Sequence, residues 1–330
     1  MLEPCIFFIL LLAILIDAIV GDPDFIYLRL KHPVQLMGLM ISYLDENLNK
    51  QNQNSFYQRI SGIILIIFLL ILSALFGLVL KHIFNLIPHG WILEAFIIST
   101  MIAAKSLYQH VKSVQNSLQT STLDEARLEV SKIVGRNTKD LNNHGVARSA
   151  IESLSENFSD GIIAPIFWTV IFGLPGILAY KMLNTADSMI GHKNHKYIYF
   201  GWASARLDDI ANFIPARISA LLFCIVASLS GRAAFIRSFK AVHRDAKKLD
   251  SINSGYPEAA MAGALNLILA GPRLYSGEDF KGKWIGDSVK GSTSNATHKE
   301  IGKALSLYIK ACILSFFLVT LITLFFIDRC

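Results

Sequence analysis

Three acidic residues at four-residue intervals, Glu152, Glu156 and Asp160, stand just before an apolar run that opens Gly-Ile-Ile-Ala-Pro-Ile-Phe-Trp168. That spacing stacks them on one face of a helix. Carboxylates are costly beside hydrocarbon unless they are paired, hydrated or bound to a cation. Their hard oxygens suit Mg2+, and one of them could serve as a general base. The plainer account is a solvated ion-pair stripe with Arg148, worth roughly 0.3 kcal/mol per pair.

Other polar clusters sit at the ends of apolar segments. Asn184 and Asp187 share a helix face, with Ser188 next in line. Asp208 and Asn212 are one helical turn apart, Asp209 is one position off, and Arg206 and Arg217 flank them. Neighbouring acids and an amide can share a cation with phosphate oxygens, and arginines can fork onto those oxygens. Arg244 precedes the turn Ser251-Ile-Asn-Ser-Gly-Tyr-Pro-Glu258. There Asn253, Ser254 and the backbone N–H groups before a short apolar helix could meet an anion, with Glu258 beside them. Each cluster also has a structural reading as a cap, a turn or a surface arginine. Gly21-Asp22-Pro23 and His32-Pro33 read as structural.

The elements that must position these groups are helical. Of the 330 residues 53% are apolar, and the apolar residues are bunched. Ile60–Leu80 and Ala311–Ile327 carry no charge and have the length of a bilayer-crossing helix. Segments near 5–20 and 91–104 are expected to cross as well, despite Asp17 and Glu94. Segments near 161–180, 213–230 and 259–270 are interrupted or short, and are expected to dip in or pack inside. Thr122-Leu-Asp-Glu125 matches a capping box, with Gly135 as a candidate C-cap. A further helix is expected from about Asn143.

The expected fold class is therefore all-α: a polytopic integral membrane protein with broken or re-entrant helices, forming a single membrane-embedded domain over 1–330. The N-terminus lacks a basic n-region and an Ala-x-Ala site and reads as a retained anchor. The net charge of +6 and the basic blocks 105–160, 181–211 and 231–258 suit cytoplasmic loops rather than nucleic-acid binding. No Walker A loop or GxGxxG is present. The four cysteines have no CxxC spacing, which argues against zinc and a disulfide framework.

Taken together, the motifs resemble the cobalamin-biosynthesis CbiB/CobD family. They are Gly21-Asp-Pro with His32-Pro-Val, Glu152-Ser-Leu-Ser-Glu-Asn157 with Ser159-Asp-Gly, Asn184-Thr-Ala-Asp-Ser-Met189, Phe200-Gly-Trp with Ala205-Arg-Leu-Asp-Asp209, and Asn253-Ser-Gly-Tyr-Pro-Glu-Ala-Ala-Met-Ala-Gly263. The sequence departs from the family's usual letters at Asn137, Phe158, Ile252 and Ala270, with Phe158 expected to narrow a pocket or face lipid.

The resemblance implies adenosylcobinamide-phosphate synthase activity in the cell membrane. In that reaction a corrinoid carboxylate is joined to aminopropanol or its phosphate, with ATP and Mg2+ inferred from the chemistry. It further implies Mg2+–phosphate work for Asp187, Asp208 and Asp209, and a base or second metal ligand among Glu152, Glu156 and Asp160. Phosphate or substrate contacts fall to Asn157, Asn184, Ser188, Arg206, Asn212, Arg217, Arg244, Asn253, Ser254 and Glu258. The active site is expected on the cytoplasmic side, and later membrane-bound cobalamin enzymes are expected partners. Competing readings are a Mg2+-dependent prenyltransferase-like enzyme and a sensor or transporter of AmpE type.

Overall fold

The computed structural model describes residues 5–22, 27, 31–52, 54–271, 273–275, 278–280, 282–286 and 292–326. The ends of the helices follow local chemistry. Helix α1 is Ile6–Ile19, and α2 is Pro33–Leu48. Pro33 suits the first turn of α2 because it needs no hydrogen-bonded N–H there. His32 caps that turn by accepting the Val34 N–H at 3.2 Å, so the His-Pro pair is structural, as its sequence suggests. Asn54 caps α3, Ser55–Asn85, and α4, Trp91–Ser99, is followed by α5, Ala104–Thr120. Thr122 caps α6, Leu123–Ser131, through the Glu125 N–H. That helix ends with Lys132 as its cap, so Gly135 lies beyond the helix and is not the expected C-cap.

Asn142 caps α7, Asn143–Phe158, which runs into a π-helical turn at Ser159–Ile163 and then α8, Ala164–Ile190. Gly173 breaks α8 with φ +64°, two residues before Pro175. The interruption predicted in this segment is thus real: a left-handed residue suits glycine, and the proline removes a helical donor. Next come α9, Trp202–Ala211, α10, Phe213–Ala227, α11, Arg232–Asp245, and α12, Gly255–Leu265. A short antiparallel ribbon pairs β1, Leu269–Ala270, with the later strand Trp284–Ile285. Another pairs β2, Arg273–Tyr275, with β3, Glu278–Phe280, which makes Trp284–Ile285 β4. Helix α13 is His298–Phe326.

The chain forms two compact units. The first comprises residues 1–103, 164–212 and 319–330. Its core gathers Ile41 of α2, Leu65, Ile66 and Leu69 of α3, Tyr180, Leu183 and Ile190 of α8, and Phe200. Gly77 of α3 sits against the Pro175 backbone, where a Cβ would collide, so the two helices meet closely beside the break. The outer face of α3 exposes Ile64, Ile67, Phe68, Ile71, Leu75 and Phe76. Such a wide apolar surface fits hydrocarbon rather than water.

The second unit comprises residues 104–163 and 213–318. Its centre is α12, whose Ala259, Ala260, Met261 and Ala262 are fully buried. Ser238 of α11 donates to the Ala260 carbonyl at 2.7 Å, a contact that small side chains on α12 permit. Phe158 is fully buried, with ring centroids 4.6 Å from Phe223 and 5.8 Å from Tyr308. It therefore neither narrows a pocket nor faces lipid; it fills an aromatic core.

Among the described residues, five stretches are long and apolar enough to cross a membrane: Ser55–Asn85, Trp91–Thr120, Asn143–Ile190, Phe213–Ser230 and His298–Phe325. This is the make-up of a multi-pass helical membrane protein. The expected spans near 60–80 and 91–104 fall within these stretches, and the one near 309–327 overlaps the last of them. The helix near 5–20 is apolar but shorter. Segments 161–180 and 213–230, expected to dip in rather than cross, have the length and hydropathy of spans. The 259–270 segment holds the end of the 11-residue helix α12 and then β1, and is too short to cross. Cys224 is a buried thiol 3.2 Å from Ser238 Oγ, and Cys312 is a half-buried thiol. Cys330, Pro23 and the Asp287–Lys290 stretch lie outside the described residues.

Candidate functional site

In the first unit the predicted residues converge where the C-terminal part of α8 meets α9. Asp208 is 9% exposed. Its Oδ2 accepts from Asn212 Nδ2 at 2.9 Å, and its Oδ1 lies 3.5 Å from Asn184 Nδ2. Tyr180 Oη donates to Asn212 Oδ1 at 2.8 Å. The order Tyr180–Asn212–Asp208–Asn184 is a polar chain set among apolar helices. A carboxylate aimed by two amides on two helices is held in one orientation. Asn212 is 1% exposed with both ends of its amide engaged. Asn212 thus orients Asp208.

Asp187 is half-buried on α8 and Ser188 is exposed, its hydroxyl donating to the Asn184 carbonyl at 2.9 Å. Asp209 is half-buried on a different face of α9 from Asp208. Burial pushes its carboxyl above the usual carboxylate range, opposed by the charges of Arg206 and Lys193. Arg206 is exposed, with its guanidinium 4.0 Å from Asp209. Among the described residues no three His, Cys, Asp or Glu side chains gather as a metal site. Asp187, Asp208 and Asp209 therefore do not build an all-protein cage. The donors present, hard carboxylate and amide oxygens, still fit Mg2+, which is commonly held by one or two carboxylates plus substrate phosphates.

In the second unit the acidic stripe separates into distinct environments. Glu152 is 5% exposed. Its Oε2 pairs with Arg136 Nη2 at 2.5 Å, and its Oε1 accepts the Ala270 N–H at 2.8 Å. Both oxygens are thus committed to protein partners. This enclosure gives Glu152 a structural part, as a clasp between Arg136 and the Ala270 N–H. Glu156 is exposed, and Asp160 is half-buried on the π-helical turn. Asn157 turns its amide back to Ser153, donating to its carbonyl at 2.9 Å. Arg148, the anticipated stripe partner, donates to the Ser294 carbonyl at 2.7 Å and lies over the Trp284 ring.

Arg217 and Asn253 do come together. Arg217 Nη1 donates to Asn253 Oδ1 at 2.7 Å, and Nη2 to the Ile252 carbonyl at 3.3 Å. The guanidinium carbon lies 3.6 Å from the Phe213 ring centroid and 3.9 Å from that of Tyr256. Ser251 Oγ accepts the N–H groups of Asn253 and Ser254. Arg217 thus fixes the turn that leads into α12, and its stacked plane leaves less of it for phosphate than expected. Ile252 contributes only its carbonyl to this arrangement. Glu258 is buried in the first turn of α12, where the helix dipole favours an acid.

Arg244, the expected phosphate arginine, is bound to Asp245 through two nitrogens. Asp245 is fully buried, takes Lys248 at 3.0 Å and accepts the Gly286 N–H at 2.8 Å. Burial acts to raise its pKa, and these hydrogen bonds and charges outweigh it, so the carboxyl lies below its usual range. Sequence reasoning missed Asp245 and Arg136 because each partner is remote or hidden behind a better-known neighbour. The two acids act alike: Glu152 holds β1 by Ala270, and Asp245 holds the chain after β4 by Gly286. Asn137, another departure from the family letters, uses its Oδ1 to cap the Lys139 N–H.

A family model described as "CobD/Cbib protein" matches residues 10–308. A protein of Sinorhizobium sp, named "Cobalamin biosynthesis protein CobD", is 46% identical over 309 residues, 93% of this chain and 95% of that one. Proteins of the same name from Brucella suis and Rhodobacter capsulatus are 43% and 38% identical, covering 91% and 92% of this chain and the same shares of theirs. No solved structure matches. Match length and identity together show that the chain belongs to the CobD/CbiB family.

Proposed function

We propose that this protein forms the amide bond between a carboxylate of (adenosyl)cobyric acid and aminopropanol or its phosphate, a step of cobalamin biosynthesis. Family membership and relatives named for cobalamin biosynthesis support this reading. The observation that carries it structurally is the Asp208 carboxylate, aimed by Asn184 and Asn212. A free carboxylate does not condense with an amine in water without activation. In the proposed course, a corrinoid carboxylate oxygen attacks the γ-phosphorus of ATP and ADP leaves. The neutral amine then attacks the acyl carbon, inorganic phosphate departs, and the amine proton passes to a base.

Mg2+, when bound, would supply charge neutralisation at the phosphates. Asp187 and Asp208 would hold it, with Asp209 adding charge nearby and Arg206 reaching a phosphate oxygen. The basic blocks support a cytoplasmic site at the cell membrane, within reach of the later membrane-bound enzymes of the pathway.

The test is direct. Membranes carrying the protein are given cobyric acid, aminopropanol phosphate, ATP and Mg2+, and products are read by mass. The amide should appear with wild type and not with Asp208→Ala. No amide alongside an active control enzyme would sink the proposal. Rescue of a strain unable to make cobinamide, by wild type alone, separates an enzyme from a transporter.

A further inference from the structure

We propose that the second unit binds a phosphate group in a groove between α5 and α13, held by the ammonium groups of Lys112 and Lys310. The groove is a cavity of about 270 Å³. Helix α5 offers it Tyr108, Lys112 and Gln115, and α13 offers Ser306 and Lys310. These positions follow helical spacing, so each helix turns one polar face to the same space. Two packing contacts hold the walls. Tyr308 Oη donates to the Ala104 carbonyl at 2.7 Å, and Gly302 leaves room for the Gln115 side chain, which a Cβ there would strike.

The charge balance points to the ligand. Lys112 donates to the neutral amide of Gln115 at 2.9 Å. Lys310 is half-buried and has no hydrogen-bond or ion-pair partner among the described residues. Two cations therefore face one cavity, and no carboxylate lines it. Half-buried like charges repel unless an anion joins them. Lysine takes phosphate as a point charge, and the hydroxyls of Tyr108 and Ser306 can donate to the remaining oxygens. Lys310 is also the last charged residue before the uncharged run 311–327. That places the groove at the polar boundary of a candidate span, where headgroup phosphates lie. The chemistry is a phosphate group whose source is either a phospholipid headgroup or a free phosphate monoester. It involves none of the residues assigned to amide formation.

Two binding measurements on the purified full chain distinguish the sources. Inorganic phosphate is titrated calorimetrically in phospholipid-free detergent. Retention of phosphatidylglycerol, with phosphatidylcholine for comparison, is read by native mass spectrometry. Saturable phosphate binding supports the site for a free monoester. Selective phosphatidylglycerol retention without phosphate binding supports it for lipid. In either arm Lys310→Gln should weaken binding about tenfold, and Lys310→Arg should restore most of it. Lys303→Gln, on the same helix but paired with Glu300, should bind as wild type. Binding of neither ligand overturns the proposal. So does equal weakening by Lys303→Gln and Lys310→Gln.

Discussion

Replacing Glu152 separates two roles that its position in the sequence leaves open. Its carboxylate is buried between the Arg136 guanidinium and the Ala270 N–H, and the Arg136 side chain is itself only 10% exposed. Breaking a buried ion pair from one side typically costs about 3–5 kcal/mol, because the remaining charge stays buried without compensation. Glu152→Ala also strands the Ala270 N–H, a loss of about 1–3 kcal/mol taken alone. The two losses overlap in one side chain and are not additive, so Glu152→Ala should destabilise by about 3–5 kcal/mol. Glu152→Gln keeps an oxygen for Ala270 and should cost less. Adding Arg136→Met to Glu152→Gln should recover part of the loss, since the stranded cation is then gone. The assay is thermal unfolding of the detergent-solubilised protein, with amide formation measured well below the unfolding midpoint. A Glu152→Ala protein with a wild-type midpoint and no turnover would refute the clasp and return Glu152 to the role of a base.

Further outcomes follow from the same geometry. Asp208→Ala should lower amide formation by at least about a hundredfold, while Asn212→Ala, which disturbs only its orientation, should cost about 10–100-fold; equal activity of both with wild type would remove the site. Ala270 adopts φ +60°, a left-handed conformation that costs an alanine about 1–2 kcal/mol, partly offset by the greater unfolded-state freedom of glycine. Ala270→Gly should therefore raise stability by up to about 1 kcal/mol, and a lowered unfolding midpoint would contradict this. Asp245 has a folded pKa below its unfolded value of 3.8, so its contribution is present above that pH and fades as pH falls through the folded value. Asp245→Asn should flatten the loss of stability in acid below about pH 4, as read by unfolding midpoints across pH. Lys196 is pushed up to about 12 by its hydrogen bonds to Asp45 and Tyr197; its contribution is full below 10.5 and fades as pH rises through about 12, an alkaline loss that Lys196→Met should lack.

Some of this was legible beforehand, for identifiable reasons. Helix α3 and the second half of α13 announce themselves because a bilayer demands long uncharged stretches. The break in α8 follows from Gly173 and Pro175, which no regular helix accommodates easily. The Asp208–Asn212 pair was visible because one helical turn separates its members. Partners brought together by folding were not visible. Asn184 reaches Asp208 from another helix, and Arg136 reaches Glu152 from a loop sixteen residues earlier. Phe158 reads as an oddity in the motif, and only its neighbours Phe223 and Tyr308 make it a core residue.

The acidic stripe shows where the division lies. Its letters alone determined that three carboxylates would share a helix face at the edge of an apolar segment, because helical periodicity is local. They also carried the family resemblance, since motif order survives without knowledge of contacts. How far each acid is enclosed was decided only by tertiary structure. Glu152 is enclosed by Arg136 and Ala270, while Glu156 is exposed and Asp160 half-buried. A carboxylate's role depends on the partners that enclose it, and those of Glu152 come from distant parts of the chain.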